Sequence, residues 1–317
     1  ATSGITATGS TILTHFNYPN TVFFWRSFTQ WLGGMGIIVL FIAILPQFAI
    51  AGRQMFFAEA PGPTEDKFTP RIKSTAAALW KVYAGLTLIE IVFLKLNGMS
   101  GFEAVCNSLS SISGGGLSPN SQSMIGCSYP LLWITAFFMF FAGVSFNLQY
   151  KAWVKLNPLV LFRNEEFRTY FSAIFLIGIL LINMHYDLAG SITHSFFNVS
   201  TLVSSTGFCS VDYTKWDYTS KLLLFAIMLF GSCASSAGGG LKVMRWLLVF
   251  KIIKTEMTKI LHPKAVCNIK TGSYSVPKEI LDQTLMFVAF YFVILGGSAF
   301  LIAVLEQNTT IGLTGAV

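Results

Sequence analysis

Apolar residues run in long blocks along this chain, with polar residues gathered between them. Crossing a bilayer takes about 20 residues. Six blocks are long enough, at 21–50, 74–97, 129–150, 168–187, 219–253 and 280–305. The fifth is interrupted by Gly231-Ser232-Cys233-Ala234-Ser235-Ser236-Ala237-Gly238-Gly239-Gly240. So many small residues make a poor continuous helix. Broken backbone at membrane depth is tolerated only where it is buried in protein or lines a water-filled cavity. A close helix-packing surface of small residues is the plainer alternative.

Composition narrows the class. The 317 residues are 53% hydrophobic and only 11% charged, with a mean hydropathy of +0.63. Soluble domains carry about 25% charged residues, so a soluble enzyme, a disordered chain and a disulfide scaffold are excluded. A multi-pass all-α membrane protein remains. The net charge of +7 then reads as loop orientation, not as a nucleic-acid footprint. Arg53, Lys67, Arg71 and Lys73 lie after the first block, Lys151, Lys155, Arg163 and Arg168 after the third, and Lys254, Lys259, Lys264, Lys270 and Lys278 after the fifth. Residues 96–150 hold no Lys or Arg, apart from which 169–220 hold only Lys215. The rich loops are expected inside and the bare loops outside. Cys106, Cys127, Cys209, Cys233 and Cys267 form no CxxC pair and are expected to be free, buried thiols.

The bare loops repeat one another. Asn107-Ser108-Leu109-Ser110-Ser111-Ile112-Ser113-Gly114-Gly115-Gly116 aligns with Asn198-Val199-Ser200-Thr201-Leu202-Val203-Ser204-Ser205-Thr206-Gly207, and Ile5-Thr6-Ala7-Thr8-Gly9-Ser10 supplies a third copy. A β-branched residue precedes three small residues and a glycine. The three consecutive glycines leave the register of the middle copy open by one. A membrane helix follows each copy, with a glycine at Gly33, Gly143 and Gly231. The two inner copies are preceded by a full span and a short half-helix near 99–110 and 190–202. The unit is span, half-helix, Ser/Thr/Gly loop, span. It divides the chain into 1–50 (loop and second helix of repeat 1), 51–163 (repeat 2 with its cytoplasmic loop), 164–260 (repeat 3 with a broken second helix) and 261–317 (a basic loop and the first helix of repeat 4).

Such a unit suits a dehydrated monovalent cation. Backbone carbonyls around a narrow axis can replace the ion's water. Small side chains let several loops approach that axis, and glycine permits backbone that a Cβ resists. A half-helix ending at the loop directs its negative end toward the ion. Ordinary Ser/Thr/Gly turns are the bland alternative, and three copies in register on one side weigh against it. The candidate ion-binding residues are Thr6, Ala7, Thr8, Gly9, Ser113, Gly114, Gly115, Gly116, Ser204, Ser205, Thr206 and Gly207.

Several motifs resemble the Trk/Ktr/HKT superfamily of potassium transporters, most closely its bacterial TrkH/TrkG branch. They are Gln30-Trp31-Leu32-Gly33-Gly34-Met35-Gly36-Ile37, Glu59-Ala60-Pro61-Gly62-Pro63-Thr64, Thr69-Pro70-Arg71, the Ser204–Gly207 loop, Gly238-Gly239-Gly240-Leu241-Lys242 and Leu261-His262-Pro263. The resemblance implies membrane helix–pore loop–membrane helix units around a pseudo-fourfold pore, with K⁺ as the transported ion and no organic cofactor in this chain. It implies a bacterial inner-membrane protein, a homodimer contacting lipid, and cytosolic TrkA-like regulatory subunits that bind nucleotide. The broken span matches the family's intramembrane gate, here Gly231, Ser235, Gly238, Gly239, Gly240, Lys242 and Arg245. Glycine at the first filter position, Gly9, goes with K⁺, whereas serine goes with Na⁺ in the plant branch. Two features depart from the pattern: the first span of repeat 1 and the fourth filter are absent. The chain opens without Met, so a fragment, or a chain whose ends were removed, is expected.

Other classes remain to be weighed. Na⁺/K⁺ permeation or symport through the same pore is one alternative. A membrane-embedded transferase is another, but it usually needs a cavity-facing cluster of His, Asp or Glu, and His15, His185, His194 and His262 have no such spacing. Glu103, Asp187, Asp212 and Asp217 either concentrate cations at the outer mouth or are plain loop acids. Glu90 and Lys95 read as packing or snorkelling residues, and Arg26 as an interfacial anchor. The basic stretch 251–278 is the candidate docking surface for a regulatory subunit.

Overall fold

The computed structural model describes residues 2–316 except 12, 14, 37–71, 183–186, 264–267 and 273. The motifs at 59–64 and 69–71, the second half of the first apolar block, Arg53, Lys67, Lys264, His185 and Cys267 lie outside the described residues. The helices in chain order are α1 (Thr2–Ile5), α2 (Asn20–Gly34), α3 (Ile72–Leu96), α4 (Gly101–Ser113), α5 (Tyr129–Ala142), α6 (Phe146–Val154), α7 (Leu159–Arg163), α8 (Glu165–Leu180), α9 (Leu188–Val203), α10 (Tyr218–Phe230), α11 (Val243–Leu261), α12 (Lys278–Glu306) and α13 (Thr309–Ala316). A small antiparallel hairpin pairs β1 (Lys270–Thr271) with β2 (Tyr274–Ser275). The protein is all-α in class.

Local chemistry sets the helix starts. Ser100 accepts the Glu103 amide and its hydroxyl donates to the Glu103 carboxylate at 2.8 Å, an N-cap that begins α4. Glu103 therefore serves the helix start. Asn164 accepts the Phe167 amide at 3.0 Å to begin α8, and Asp217 accepts the Ser220 amide at 3.2 Å to begin α10.

The half-helices are the most buried elements. From Cys106 to Ser113, every side chain of α4 is buried, although four of the eight are serines. α4 packs between α2 and α3, and α9 packs between α5 and α8. Some of their polar groups find partners outside the half-helix, while the buried Ser108 and Thr201 hydroxyls have none among the described residues. The Ser111 hydroxyl donates to Glu90 of α3 at 2.6 Å, and the Ser195 hydroxyl of α9 donates to the Leu181 carbonyl at 2.6 Å. Glu90 is thus tied to the second half-helix, while Lys95 is exposed at the end of α3.

Three expectations are corrected. The apolar blocks are not six straight spans. The second helices of the three units, α2, α5 and α10, are 15, 14 and 13 residues long and end at Gly34, before Gly143 and before Gly231. At about 1.5 Å per residue they reach roughly 20 Å, short of the ~30 Å hydrocarbon core. Among the described residues, only α12 is long and apolar enough to cross alone; α5 and α6 pass that test jointly, bent by 101°. Breaks therefore recur in more than the fifth block. At the bend, Gln149 Nε2 donates to the freed carbonyls of Phe141 and Val144 at 2.7 and 2.9 Å, the local repair such a break needs. Second, residues 251–261 extend α11 as helix and are not loop. Third, Cys106 and Cys233 are buried free thiols, but Cys127 and Cys209 are only half-buried.

Candidate ion pathway

The three Ser/Thr/Gly loops share one backbone geometry. Ala7, Gly114 and Ser205 are left-handed, with φ of 51°, 69° and 53°, and two residues later Gly9, Gly116 and Gly207 are left-handed again at 74°, 68° and 83°. The residues between them, Thr8, Gly115 and Thr206, are not left-handed. The hydrogen bonds match as well. Ala7, Gly114 and Ser205 donate three residues back, to Gly4, Ser111 and Leu202. Thr8, Gly115 and Thr206 donate five back, to Ser3, Ser110 and Thr201. This settles the register left open by the glycine run: Gly116 corresponds to Gly9 and Gly207.

The loops converge at backbone contact. A Cβ added to Gly9 would stand 2.9 Å from the Gly115 carbonyl oxygen, and one on Gly114 would stand 3.0 Å from the Ser204 carbonyl oxygen. A Cβ on Gly116 would overlap the Thr206 carbonyl. The first loop thus abuts the second and the second abuts the third, each through the glycine side of one and a carbonyl of the next. Gly207 meets no described atom within 4 Å on its corresponding side. α2 wedges between the first two loops: a Cβ on its Gly33 would overlap the Ile5 carbonyl, and one on Gly34 would stand 2.6 Å from Ser113 Cα. That close approach accounts for the double glycine in the Gln30–Gly36 motif.

Side chains brace the loops. The hydroxyls of Thr6 and Thr8 lie 2.6 Å apart, and those of Ser204 and Thr206 lie 2.7 Å apart. The middle loop has Gly115 at the second of these positions. There the buried Gln30 of α2 enters, and its Nε2 donates to the Gly115 carbonyl at 2.7 Å.

The broken span sits directly against this assembly. Between α10 and α11, residues 231–242 return toward the loops. The Gly239 amide donates to the Ser205 hydroxyl at 2.6 Å, and a Cβ on Gly238 would stand 2.9 Å from the Ser204 carbonyl oxygen. The α5–α6 bend receives the same segment: the Cys233 and Ala237 amides donate to the Gly143 and Ala142 carbonyls at 2.9 and 3.2 Å, and the Phe146 amide donates to the Ser235 carbonyl at 2.9 Å. The buried Glu166 of α8 accepts the Ala234 amide at 2.6 Å, and the Met244 amide faces the same carboxylate. One acid therefore ties the segment to α8 beside the start of α11.

A cavity of about 390 Å³ adjoins the first loop, lined by Thr6, Ala7, Ser235, Gly239, Lys242 and Arg245, among others. It brings sequence-flagged loop residues and broken-span residues to one space. Lys242 stands at the start of α11 with φ 66°. Arg245 is buried, donates to the Leu241 carbonyl at 3.2 Å, and stacks 3.8 Å over the Phe287 ring of α12.

The outer acids have local partners. Asp212 accepts the Thr214 hydroxyl at 2.5 Å and lies 3.6 Å from Lys215, and the Thr214 bond holds its carboxyl below the ordinary aspartate value. The Ser220 hydroxyl does the same for Asp217 at 2.6 Å. Asp187 accepts from the Tyr129 hydroxyl at 3.4 Å. Arg26 Nη2 donates to the Thr11 hydroxyl at 3.2 Å.

Two site residues escaped the sequence reading. Gln30 was visible only as part of a motif, and nothing in the spacing aims it at Gly115. Glu166 stood beside Glu165 at a helix start, where an acid needs no further reason.

Comparison with known proteins agrees with this geometry. A family model described as TrkH, cation transport protein, matches residues 1–311. The chain belongs to the TrkH cation transport family. The Trk system potassium uptake protein TrkH of Vibrio parahaemolyticus is 35% identical over 300 residues, covering 91% of this chain and 62% of that protein. The TrkG protein of Escherichia coli K12, similarly named, is 32% identical over 316 residues, covering 94% and 64%. The crystal structure of the potassium transporter TrkH from Vibrio parahaemolyticus superposes with a TM-score of 0.84 at 30% identity, covering 98% of this chain and 65% of that one. The chain thus spans less than two thirds of the length of these relatives. TrkH-family membership makes it a helical membrane protein of a cation transport family.

Proposed function

We propose that this chain supplies three of the four faces of a K⁺-selective pore in a bacterial inner membrane and that the whole protein takes up potassium. The observation that carries the reading is the convergence of three loops with one backbone geometry, through Gly9–Gly115, Gly114–Ser204 and Gly116–Thr206 contacts. Carbonyls held that close can replace a small cation's hydration shell. Pseudo-fourfold closure expects a further loop on the open side of Gly207. The half-helices α4 and α9 end at their loops and place negative helix ends there. The names of the similar proteins support potassium as the ion.

The segment 231–242 is read as the gate. It stands under the loops, is held by hydrogen bonds that can be exchanged, and shares its cavity with Lys242 and Arg245, whose charges would oppose a cation waiting there. A homodimer and cytosolic nucleotide-binding regulatory subunits complete the proposal. The regulatory subunits would dock on the inner end of α11 and the β1–β2 hairpin, and deletion of 256–275 should abolish their co-purification.

Growth rescue of a K⁺-uptake-deficient bacterium by the full-length protein tests the main reading. Wild type should rescue, and Gly207→Ser, made in equal amount, should not. Equal rescue would contradict the filter assignment.

A further inference from the structure

The three loops are braced in two different ways. In the first and third, a hydroxyl three residues before the glycine meets a hydroxyl next to the glycine: Thr6 with Thr8 and Ser204 with Thr206. The second loop has Ser113 at the first position but Gly115 at the other, so that pair cannot form. Gln30 fills the vacated space. It is fully buried, and a Cβ on Gly115 would overlap its carboxamide.

The carboxamide can sit only one way round. Nε2 donates to the Gly115 carbonyl at 2.7 Å, while Oε1 accepts the Leu117 amide at 3.3 Å and lies 2.8 Å from the Ser110 hydroxyl. A carbonyl on one side and an amide on the other fix which end is which. Gln30 therefore grips the loop on both sides of Gly116, at Gly115 and Leu117. The held carbonyl is the one against which Gly9 of the first loop packs.

We propose that Gln30 is the positioning residue of the second filter loop, replacing from α2 the hydroxyl brace that the first and third loops carry themselves, and that it thereby sets the discrimination between K⁺ and Na⁺. This rests on the filter reading above. Gln30 does not touch the ion; it fixes the direction of a carbonyl and the spacing between two loops.

The test is an exchange of braces in the full-length protein reconstituted in liposomes, read as the K⁺:Na⁺ permeability ratio. Gln30→Ala should lower the ratio about fivefold, the scale of one ordinary hydrogen bond. Gly115→Thr should lower it as well, because its side chain collides with Gln30. The double variant should regain most of the ratio, because the threonine then has room to meet the Ser113 hydroxyl. A merely structural role would move melting temperature in all three without this pattern in selectivity. If a single variant fails to fold, the double variant still decides: a ratio near wild type supports the exchange, and a ratio as low as in Gly207→Ser overturns it. An unchanged ratio in Gln30→Ala also overturns it. Gly207→Ser separates the two readings. If it too leaves the ratio unchanged, the filter itself is wrong; if it lowers the ratio and Gln30→Ala does not, only the brace is wrong.

Discussion

The Gly239 amide of the broken span donates to the Ser205 hydroxyl of the third loop at 2.6 Å, and that hydroxyl donates in turn to the Ser204 carbonyl at 2.7 Å. One side chain thus links the proposed ion pathway to the segment proposed as its gate. Moving the segment must break this bond and leave the Ser204 carbonyl with a freed hydroxyl beside it. On the gate proposal, Ser205→Ala removes a bond that opening has to break. A net hydrogen bond is worth about 1 kcal/mol, so open probability should rise about fivefold in single-channel recordings. An unchanged open probability would show that the contact does not hold the gate.

Glu166 should matter more. Its carboxylate accepts the Ala234 amide of the segment at 2.6 Å, and charge-assisted bonds contribute about 1.5–3 kcal/mol. Glu166→Gln keeps the shape but removes the charge that strengthens this bond. Unstimulated K⁺ leak from loaded liposomes should rise tenfold or more. Leak equal to wild type would remove Glu166 from the gate.

Gly116 and Gly272 separate strain from crowding. Both are left-handed, at φ 68° and 61°, but only Gly116 faces a neighbouring carbonyl; a Cβ on Gly272 would meet nothing within 4 Å. Gly272→Ala should cost about 1 kcal/mol of backbone strain. Gly116→Ala should cost several times more and abolish K⁺ uptake, because the Thr206 backbone must move. Similar melting temperatures for the two variants would show that the loops are not packed as described.

The outer acids give a pH prediction. Hydrogen bonds from Thr214 and Ser220 lower the carboxyl pKa values of Asp212 and Asp217, starting from an ordinary value near 3.9. A lowered pKa keeps the charged form until the medium is more acidic still. Both groups therefore stay ionised when the outside is taken from about pH 7.5 to about 5.5, well above the ordinary value, and K⁺ entry should not fall through loss of their charge. Replacing both by Asn should slow entry at low ionic strength and have little effect at high salt, where screening is strong. A salt-independent effect would assign them a structural role only.

The unit of span, half-helix, loop and span was legible because it is written in local chemistry: long apolar blocks, and a Ser/Thr/Gly run that recurs three times in register. The break after α10 was legible for the same reason, since Gly238-Gly239-Gly240 cannot hold a helix. The α5–α6 bend was not. Phe141-Ala142-Gly143-Val144-Ser145 reads as continuous helix, and the break depends on Gln149 and on amides arriving from residues 233 and 237. Gln30 and Glu166 were hidden likewise, because their partners lie 85 and 68 positions away. The middle glycine was ambiguous for a simpler reason: three identical residues carry no register, and it takes the backbone handedness together with the amide bonding pattern to distinguish them.

Soaking crystals of the full-length protein in thallium, a heavy monovalent stand-in for K⁺, and locating it by anomalous scattering tests the central claim most directly. A peak on the axis between residues 6–9, 113–116 and 204–207, in reach of their carbonyl oxygens, is the predicted result. Thallium bound elsewhere in the protein, with the space between those loops empty, would contradict it.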